Sequence, residues 1–512
     1  VSSGICRPCR CQMQQELALT SLISCPLTEE RSSAEGLSKD TIMSNKPIKL
    51  WQYLVPIVVL LAIWFYPVPE GLKPQAWHMF AIFVATIVGI LCAPLPSGAL
   101  MFIALALSIF TNTLSFKAAL SGFASGTVWM IFSAYVLSLG FVQSGLGRRI
   151  AYKTLSLFGG SSLGIAYSLG IADLILAPAM PSVTARSGGI ILPISKSIDQ
   201  VLDSEPGPKQ KRLGEFLTMT CFQFTPITGA MFMTGMAANP LCATLAKEGL
   251  GIELTWVGWF WAAVVPAMIC FFVMPLLSYK ILNPELKRTP EAKKMGREEL
   301  KHMGPMSSQE IKVAIGFVLA LLGWGTTMWT GLNANAIGIG LAALLFAMGA
   351  VNWKDVLADK AAWDTVVWFG VIISLATGLT SLGFIKWMSA GFASMLTGMD
   401  WMTTFILLGF AYIYLHYVFA TASGHVAAMY VPFAAVAIGA GAPPLMVAVC
   451  FAIFSNFMWG ITEYAGGPGP IYFGQGFFER PRFYKINFVL VTASVIIVFA
   501  VGMLWWKIIG LY

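Results

Sequence analysis

The chain has 512 residues, 57% of them hydrophobic and only 11% charged, with a mean hydropathy of +0.75. Soluble proteins carry about 25% charged residues, so a water-soluble globular protein is excluded. The net charge of +8 sits in a few loops and does not form the basic face that nucleic acid needs, so no nucleic-acid partner is expected. Apolar runs of about 20 residues recur from Tyr53 onward, the length that spans a bilayer as a helix. The 49 glycines suit tightly packed membrane helices. Cys6, Cys9, Cys11 and Cys25 lack a distal Cys/His cluster, so they frame no zinc site.

Residues 1–42 differ from the rest. They begin with Val, lack a signal-peptide core, and are followed by Met43 in MSNKPIKLWQYL. They are expected to be an upstream extension, with a targeting segment as the other reading. Spans are predicted over 53–69, 76–93, 97–113 and 127–146. A re-entrant pair is predicted over 160–196, because 177–193 (APAMPSVTARSGGIILP) carries three prolines, two hydroxyl residues before Arg186, and a Gly-Gly pair. Spans follow at 214–247, 254–281, 310–330, 335–351 and 363–385. A second re-entrant pair covers 402–438, with FATASGHVAAMYVP at 419–432, and spans at 443–473 and 486–510 finish the chain. The expectation is an all-α polytopic membrane protein of about eleven crossings and two hairpins. Residues 43–281 and 310–512 form its halves, joined by a cytoplasmic loop at 282–309.

Charge tests this count. With Lys46 and Lys49 inside, the clusters Arg148/Arg149/Lys153, Lys209/Lys211/Arg212, Lys287 to Lys301, Lys354 and Arg480/Arg482/Lys485 all fall on that same side, as the positive-inside rule requires. Had either broken stretch been a full span, the later clusters would have changed sides. The halves also match in sequence: Ser182-Val183-Thr184 aligns with Thr421-Ala422-Ser423, and Pro193 with Pro432, at an offset of 239 residues. The first hairpin opens inside and the second outside, so the repeat is expected to be inverted. Inverted repeats with broken helices near the midplane belong to secondary transporters.

Broken helices expose unpaired N–H groups and a partial positive charge that suit anions. Ser182, Thr184, Thr421 and Ser423 add neutral donors; satisfying their own broken backbone is their simpler use. Arg186 and His425 occupy equivalent places. An Arg in the membrane marks function by default and suits a carboxylate, while an ion pair with Asp173 is the structural alternative. His425 is either functional or a neutral, hydrogen-bonded core residue. Each hairpin is followed by an interrupted helix: Gly235, Ala238, Asn239 and Pro240 in one, and Gly466, Gly467, Pro468, Gly469 and Pro470 in the other. Unwound carbonyls there could hold a cation, with N–H groups facing an anion. Plain kinks are the alternative. Glu463 is the best candidate for a cation or proton ligand, with Thr462 beside it. His78, His416 and His425 form no ligand-spaced cluster and no nucleophile elbow is present, which disfavours an enzyme. No cofactor is expected.

At these residues the chain resembles the divalent anion/sodium symporter family, in the branch of bacterial citrate/succinate and tartrate/succinate antiporters and plastid 2-oxoglutarate/malate translocators. The stretches that carry the resemblance are PQAWHMFAIFVATIVGI (74–90), SGLGRRIA (144–151), LAPAMPSVTARSGGIILPI (176–194), TGMAANPL (234–241), AAWDTVVW (361–368), HYVFATASGHVAAM (416–429) and ITEYAGGPGPIYFG (461–474). It implies a scaffold domain, a mobile transport domain, a homodimer in lipid, and possible sodium ions. It also implies a carboxylate-binding tip at Ser182-Val183-Thr184 and Thr421-Ala422-Ser423. Both tips lack the family's central Asn, and Thr462-Glu463-Tyr464 replaces its Thr-Pro-Tyr. The expected function is elevator-type exchange of di- or tricarboxylates in a bacterial inner membrane, with Arg186 supplying the compensating charge. Sodium-coupled symport and an anion channel are the alternatives, and a plastid envelope is the alternative location.

Overall fold

The computed structural model describes residues 49–395 and 400–512; the predicted extension 1–42 lies outside the described residues. The compact unit Trp51–Tyr512 is all-α. The helices are α1 Leu50–Phe65, α2 Pro74–Cys92, α3 Ser97–Phe110, α4 Gly126–Ser144, α5 Leu146–Phe158, α6 Ser162–Leu176, α7 Leu192–Val201, α8 Gly214–Met231, α9 Ala238–Leu245 and α10 Trp256–Leu282. They continue as α11 Pro290–Met303, α12 Ser308–Gly325, α13 Ala334–Ala347, α14 Lys360–Ser381, α15 Phe384–Met395, α16 Trp401–Tyr414, α17 Ala422–Gly439, α18 Pro444–Phe457, α19 Pro468–Phe473 and α20 Arg480–Ile508.

Among the described residues, nine helices are long and apolar enough to cross a membrane, or ten if α11 and α12, bent by 111°, count together. The sequence suggested eleven. Six of the nine coincide with predicted spans, and the other three, Ser162–Ala179, Trp401–Val418 and Ala422–Gly439, are arms of the predicted hairpins. Of the remaining predicted spans, 214–247 is broken after α8, 310–330 counts only together with α11, and α1, α3 and α13 have only 16, 14 and 14 residues. At about 1.5 Å per residue such helices fall short of a hydrocarbon core of about 30 Å. The predicted loop 282–309 also holds α11, which Pro290 starts at its first turn and which is rich in Glu, Lys and Met, good helix formers.

The helices pack in two groups. In one, α4 packs against α12, α13 and α14, and α3 against α2 and α14. In the other, α8 packs against α6, α10 and α18, while α18 meets α16, α17 and α20. The second group holds both broken hairpins. After α6 the chain makes a short 3₁₀ turn, Ala177–Ala179, then runs irregularly to a wide π-turn at Thr184–Ile191 that leads into α7. Proline accounts for the interruption: Pro178 and Pro181 cannot supply the N–H groups that continue a helix. The later hairpin breaks between the 3₁₀ turn Leu415–Val418 and α17, where the Thr421 hydroxyl caps the new helix by accepting from Gly424 N–H at 3.1 Å. The helix after each hairpin is broken as well, α8 from α9 over 232–237 and α18 from α19 over 458–467.

Candidate functional site

The two hairpin breaks and the two later breaks meet at one cavity of about 170 Å³. Its walls are Ser182, Val183 and Thr184 from the first tip, Thr421, Ala422 and Ser423 from the second, Ala237 and Ala238 from one unwound segment, and Gly466 and Gly467 from the other. Residues 239 positions apart in sequence thus face one space. Tyr135 of α4 is the wall residue supplied by the other helix group. No lining side chain is charged. The donors on hand are short hydroxyls and the backbone of the broken helices. Trp459 is buried, lines the cavity, and its Nε1–H has no hydrogen-bond partner. A buried donor left unmet costs about 1–3 kcal/mol.

Close packing fixes these walls. A Cβ on Gly467 would lie 2.0 Å from the Thr184 hydroxyl, so only glycine lets the first tip approach the second unwound segment. The first tip is also stitched to the first unwound segment, because Ala237 N–H donates to Pro181 O at 3.1 Å and the Thr234 hydroxyl donates to Pro178 O at 2.8 Å.

Arg186 does not line this cavity. It is fully buried behind it, and all five of its N–H donors are used. Nε bonds Asp173 at 3.1 Å, Nη1 bonds the carbonyls of Met180 and Gly235 at 2.8 Å each, and Nη2 reaches Thr225 O at 3.3 Å and the Thr228 hydroxyl at 3.4 Å. Thr228 also bonds the other Asp173 oxygen. The guanidinium therefore ties the hairpin's two arms to α8 and to the first unwound segment, with its charge met by Asp173. His425 holds the equivalent place in the second hairpin and is likewise buried off the cavity. Its ring stands edge-on to Tyr412, with centroids 4.5 Å apart, and Tyr412 is the residue 239 positions after Asp173. The two hairpins thus use one pair of positions to hold their arms together, by an ion pair in one and by edge-to-face rings in the other.

The family model described as "Sodium:sulfate symporter transmembrane region" matches residues 48–512. The chain belongs to the sodium:sulfate symporter family. Among its relatives, the putative malate transporter YflS of Bacillus subtilis is 44% identical over 468 residues, covering 91% of this chain and 98% of that protein. The chloroplastic dicarboxylate transporter 1 of Spinacia oleracea is 41% identical, covering 90% of this chain and 81% of its own. The Escherichia coli inner membrane protein YbhI is 37% identical over 90% of this chain and 98% of its own. The YdaH transporter structure of Alcanivorax borkumensis shares the fold, with a TM-score of 0.55 at 12% identity, over 85% of this chain and 99% of that one.

In this member of the symporter family, the residues expected at the unwound segments divide, both those for a coupling cation and, for substrate, Asn239 and Pro468. Ala238, Gly466 and Gly467 reach the cavity. The Gly235 carbonyl is spent on Arg186. Glu463 turns away and pairs with Arg480 at 2.7 Å. Thr462 is fully buried, and its hydroxyl has no partner. Asn239 is a lock: its amide donates to Gly229 O and Phe232 O at 2.8 and 2.9 Å, and its oxygen accepts from Asn456 at 2.8 Å. Pro468 is buried at the start of α19. Sequence reasoning missed Tyr135 and Trp459. Tyr135 lies in a helix, where an aromatic reads as core; Trp459 lies in the short 3₁₀ turn Met458–Ile461 at the start of the break, and its signal in the sequence was its place a few residues before Gly466.

Proposed function

We propose that this protein is a secondary transporter of di- or tricarboxylates, of the malate, succinate, 2-oxoglutarate and citrate class, and that the cavity between the two hairpin tips is its substrate site. The observation that carries this is the convergence of four helix breaks, with their hydroxyls and backbone N–H groups, on one uncharged cavity. Such a site suits carboxylate groups by hydrogen bonds and helix-end dipoles. The printed names of the malate and dicarboxylate transporter relatives support the substrate class.

Nearly all the walls belong to the hairpin group, so the substrate would travel with that group past Tyr135. Two cavities adjoin the site. One, of about 440 Å³, shares Tyr135 and Ser182 with it and reaches Gln143, Asp355 and Asp359. The other, of about 220 Å³, shares Thr421 and Ser423 and reaches Ser97 and Asp364. By the charge bias of the loops both lead toward the cytoplasm, an inward-facing arrangement. We place the protein in a bacterial inner membrane as a homodimer.

Charge supports co-transport of a cation over the obligatory exchange expected from the sequence. Obligatory exchange, as the sequence suggested it, needs an unpaired Arg186 on the empty carrier. Asp173 neutralises that residue, so the empty carrier holds no such barrier. A cation that travels with the dianion then offsets part or all of its charge, sodium being the ion the family description names. Purified protein in vesicles tests this. Uptake of labelled malate into empty vesicles, driven by a cation gradient, is the expected result. Uptake only into vesicles preloaded with dicarboxylate would restore exchange. Uptake of no dicarboxylate would overturn the substrate reading, and a conductance without accelerated counter-exchange would favour a channel.

A further inference from the structure

His416 ends the first arm of the second hairpin and His425 lies in the first turn of α17. Both rings are fully buried. Their Nδ1 atoms are 3.1 Å apart, and His416 Nε2 lies 2.9 Å from the carbonyl oxygen of Ala465, the residue before Gly466 in the cavity wall. A carbonyl oxygen only accepts, so His416 Nε2 carries a hydrogen. In a neutral ring His416 Nδ1 is then bare and accepts from His425 Nδ1–H, and His425 Nε2 is bare in its turn. That nitrogen has no hydrogen-bond partner. The relay therefore runs from the unwound segment through two imidazoles to a buried, unused proton acceptor.

We propose that the His416–His425 pair is a proton site, which gains one proton when a dicarboxylate dianion occupies the cavity and releases it when the dianion leaves. The proposal rests on the reading of the cavity as a dicarboxylate site. The step adds a proton from bulk water to the Nε2 lone pair of His425, and no covalent bond of the protein breaks. Dianion and proton then cross together, with one negative charge left over.

Three features support it. The cavity has no charged lining residue and Arg186 is already neutralised, so a dianion meets no compensating side-chain charge there. Thr421 and Ser423, which line the cavity, share the first turn of α17 with His425, so the anion's field reaches the ring through one helical turn. An opposite charge nearby favours the protonated imidazole, and linkage makes the proton favour the anion equally. The surroundings supply no competing counter-charge. Tyr412 on α16 and Phe419, whose rings pack against His425, carry no charge. Among charged groups on adjoining elements, Glu463 is paired with Arg480 and Lys247 with Glu253. Glu248, Lys386 on α15, Asp364 across the 220 Å³ cavity and His78, which is stacked on Trp64, make no hydrogen bond to either imidazole.

The test uses the full-length protein in sodium-free vesicles containing a pH-sensitive dye, with labelled fumarate as the probe. Its carboxyls stay ionised between about pH 6 and 8. The expected result is that dye and label report entry together. The KM for fumarate should fall with pH, by up to about tenfold per pH unit, the limit for one linked proton. In His425→Gln the acid-to-alkaline rate ratio should drop to about one; His416→Gln, which keeps a donor for Ala465, should lose the same dependence. Fumarate entry with no dye response in the wild type overturns the proton site while leaving the dicarboxylate reading intact. Full acid stimulation in both variants overturns the assignment to these residues. If either variant is too unstable to purify, the wild-type dye measurement decides alone. Failure to move fumarate without sodium, but movement once sodium is added, overturns the proton site and leaves the dicarboxylate reading intact; failure under both conditions overturns both readings.

Discussion

The position of Arg186 makes a sharp prediction about what its loss does. Replacing it with leucine removes five hydrogen bonds at once and leaves Asp173 buried with only the Thr228 hydroxyl, and the Met180 and Gly235 carbonyls without their donor. Breaking one side of a buried ion pair costs about 3–5 kcal/mol, so Arg186→Leu should melt well below the wild type in detergent. Removing both charges with Asp173→Leu/Arg186→Leu should recover part of that loss, because no lone charge is left behind. The coupling between the two sites in this double-mutant cycle should be about 1–3 kcal/mol. Melting temperature followed by tryptophan fluorescence, with and without malate, measures all four proteins. If Arg186 held the substrate instead, Arg186→Leu would melt like the wild type without malate and lose only the shift that malate confers. That outcome would falsify the assignment of Arg186 to the hairpin's internal frame.

Three further outcomes follow from the cavity walls. Thr184→Val removes a hydroxyl at the first tip and should raise the KM for malate about 5- to 30-fold, the equivalent of 1–2 kcal/mol. Gly467→Ala pushes on that same hydroxyl, so adding it to Thr184→Ala, which removes the clashing atom, should cost much less than it does alone in the wild-type background; full additivity would show the two do not meet. Trp459→Phe keeps the ring but removes the unmet indole donor. Because that nitrogen is inaccessible from the cavity, malate affinity should stay within about twofold with little loss of stability, and a loss of affinity of about fivefold or more would mean the donor reaches the substrate. Glu463→Gln breaks a pair in which Arg480 is 65% exposed. It should change stability by less than about 1 kcal/mol and leave cation dependence in place; loss of that dependence would return Glu463 to a coupling role.

Much of the site was legible in the sequence because broken helices have a chemical signature. Pro178, Pro181 and the Gly-Pro run at 466–470 cannot be read as an unbroken membrane helix, and hydroxyls at Ser182, Thr184, Thr421 and Ser423 mark where backbone needs new partners. Those tips, with Ala238, Gly466 and Gly467, do share one cavity. Arg186 and His425 show the limit of the method. Their types and equivalent places could be read, but a side chain one turn past a tip can point into the cavity or back along its hairpin, and linear spacing gives both the same signal.

The sequence by itself determined that this is an all-α membrane protein of the symporter family, with paired breaks at fixed places, because hydropathy and helix-breaking chemistry are local properties of the chain. Tertiary structure decided which polar groups are already spent. Asp173, 13 positions before Arg186, and Gly235, 49 positions after it, consume that residue's donors, and Ala465 consumes His416's. It also decided which apolar residues are walls, bringing Tyr135 and Trp459 to the tips. A hydrogen bond is satisfied in three dimensions, so whether a charge or a donor remains free for a ligand is settled only when the distant groups that compete for it have packed.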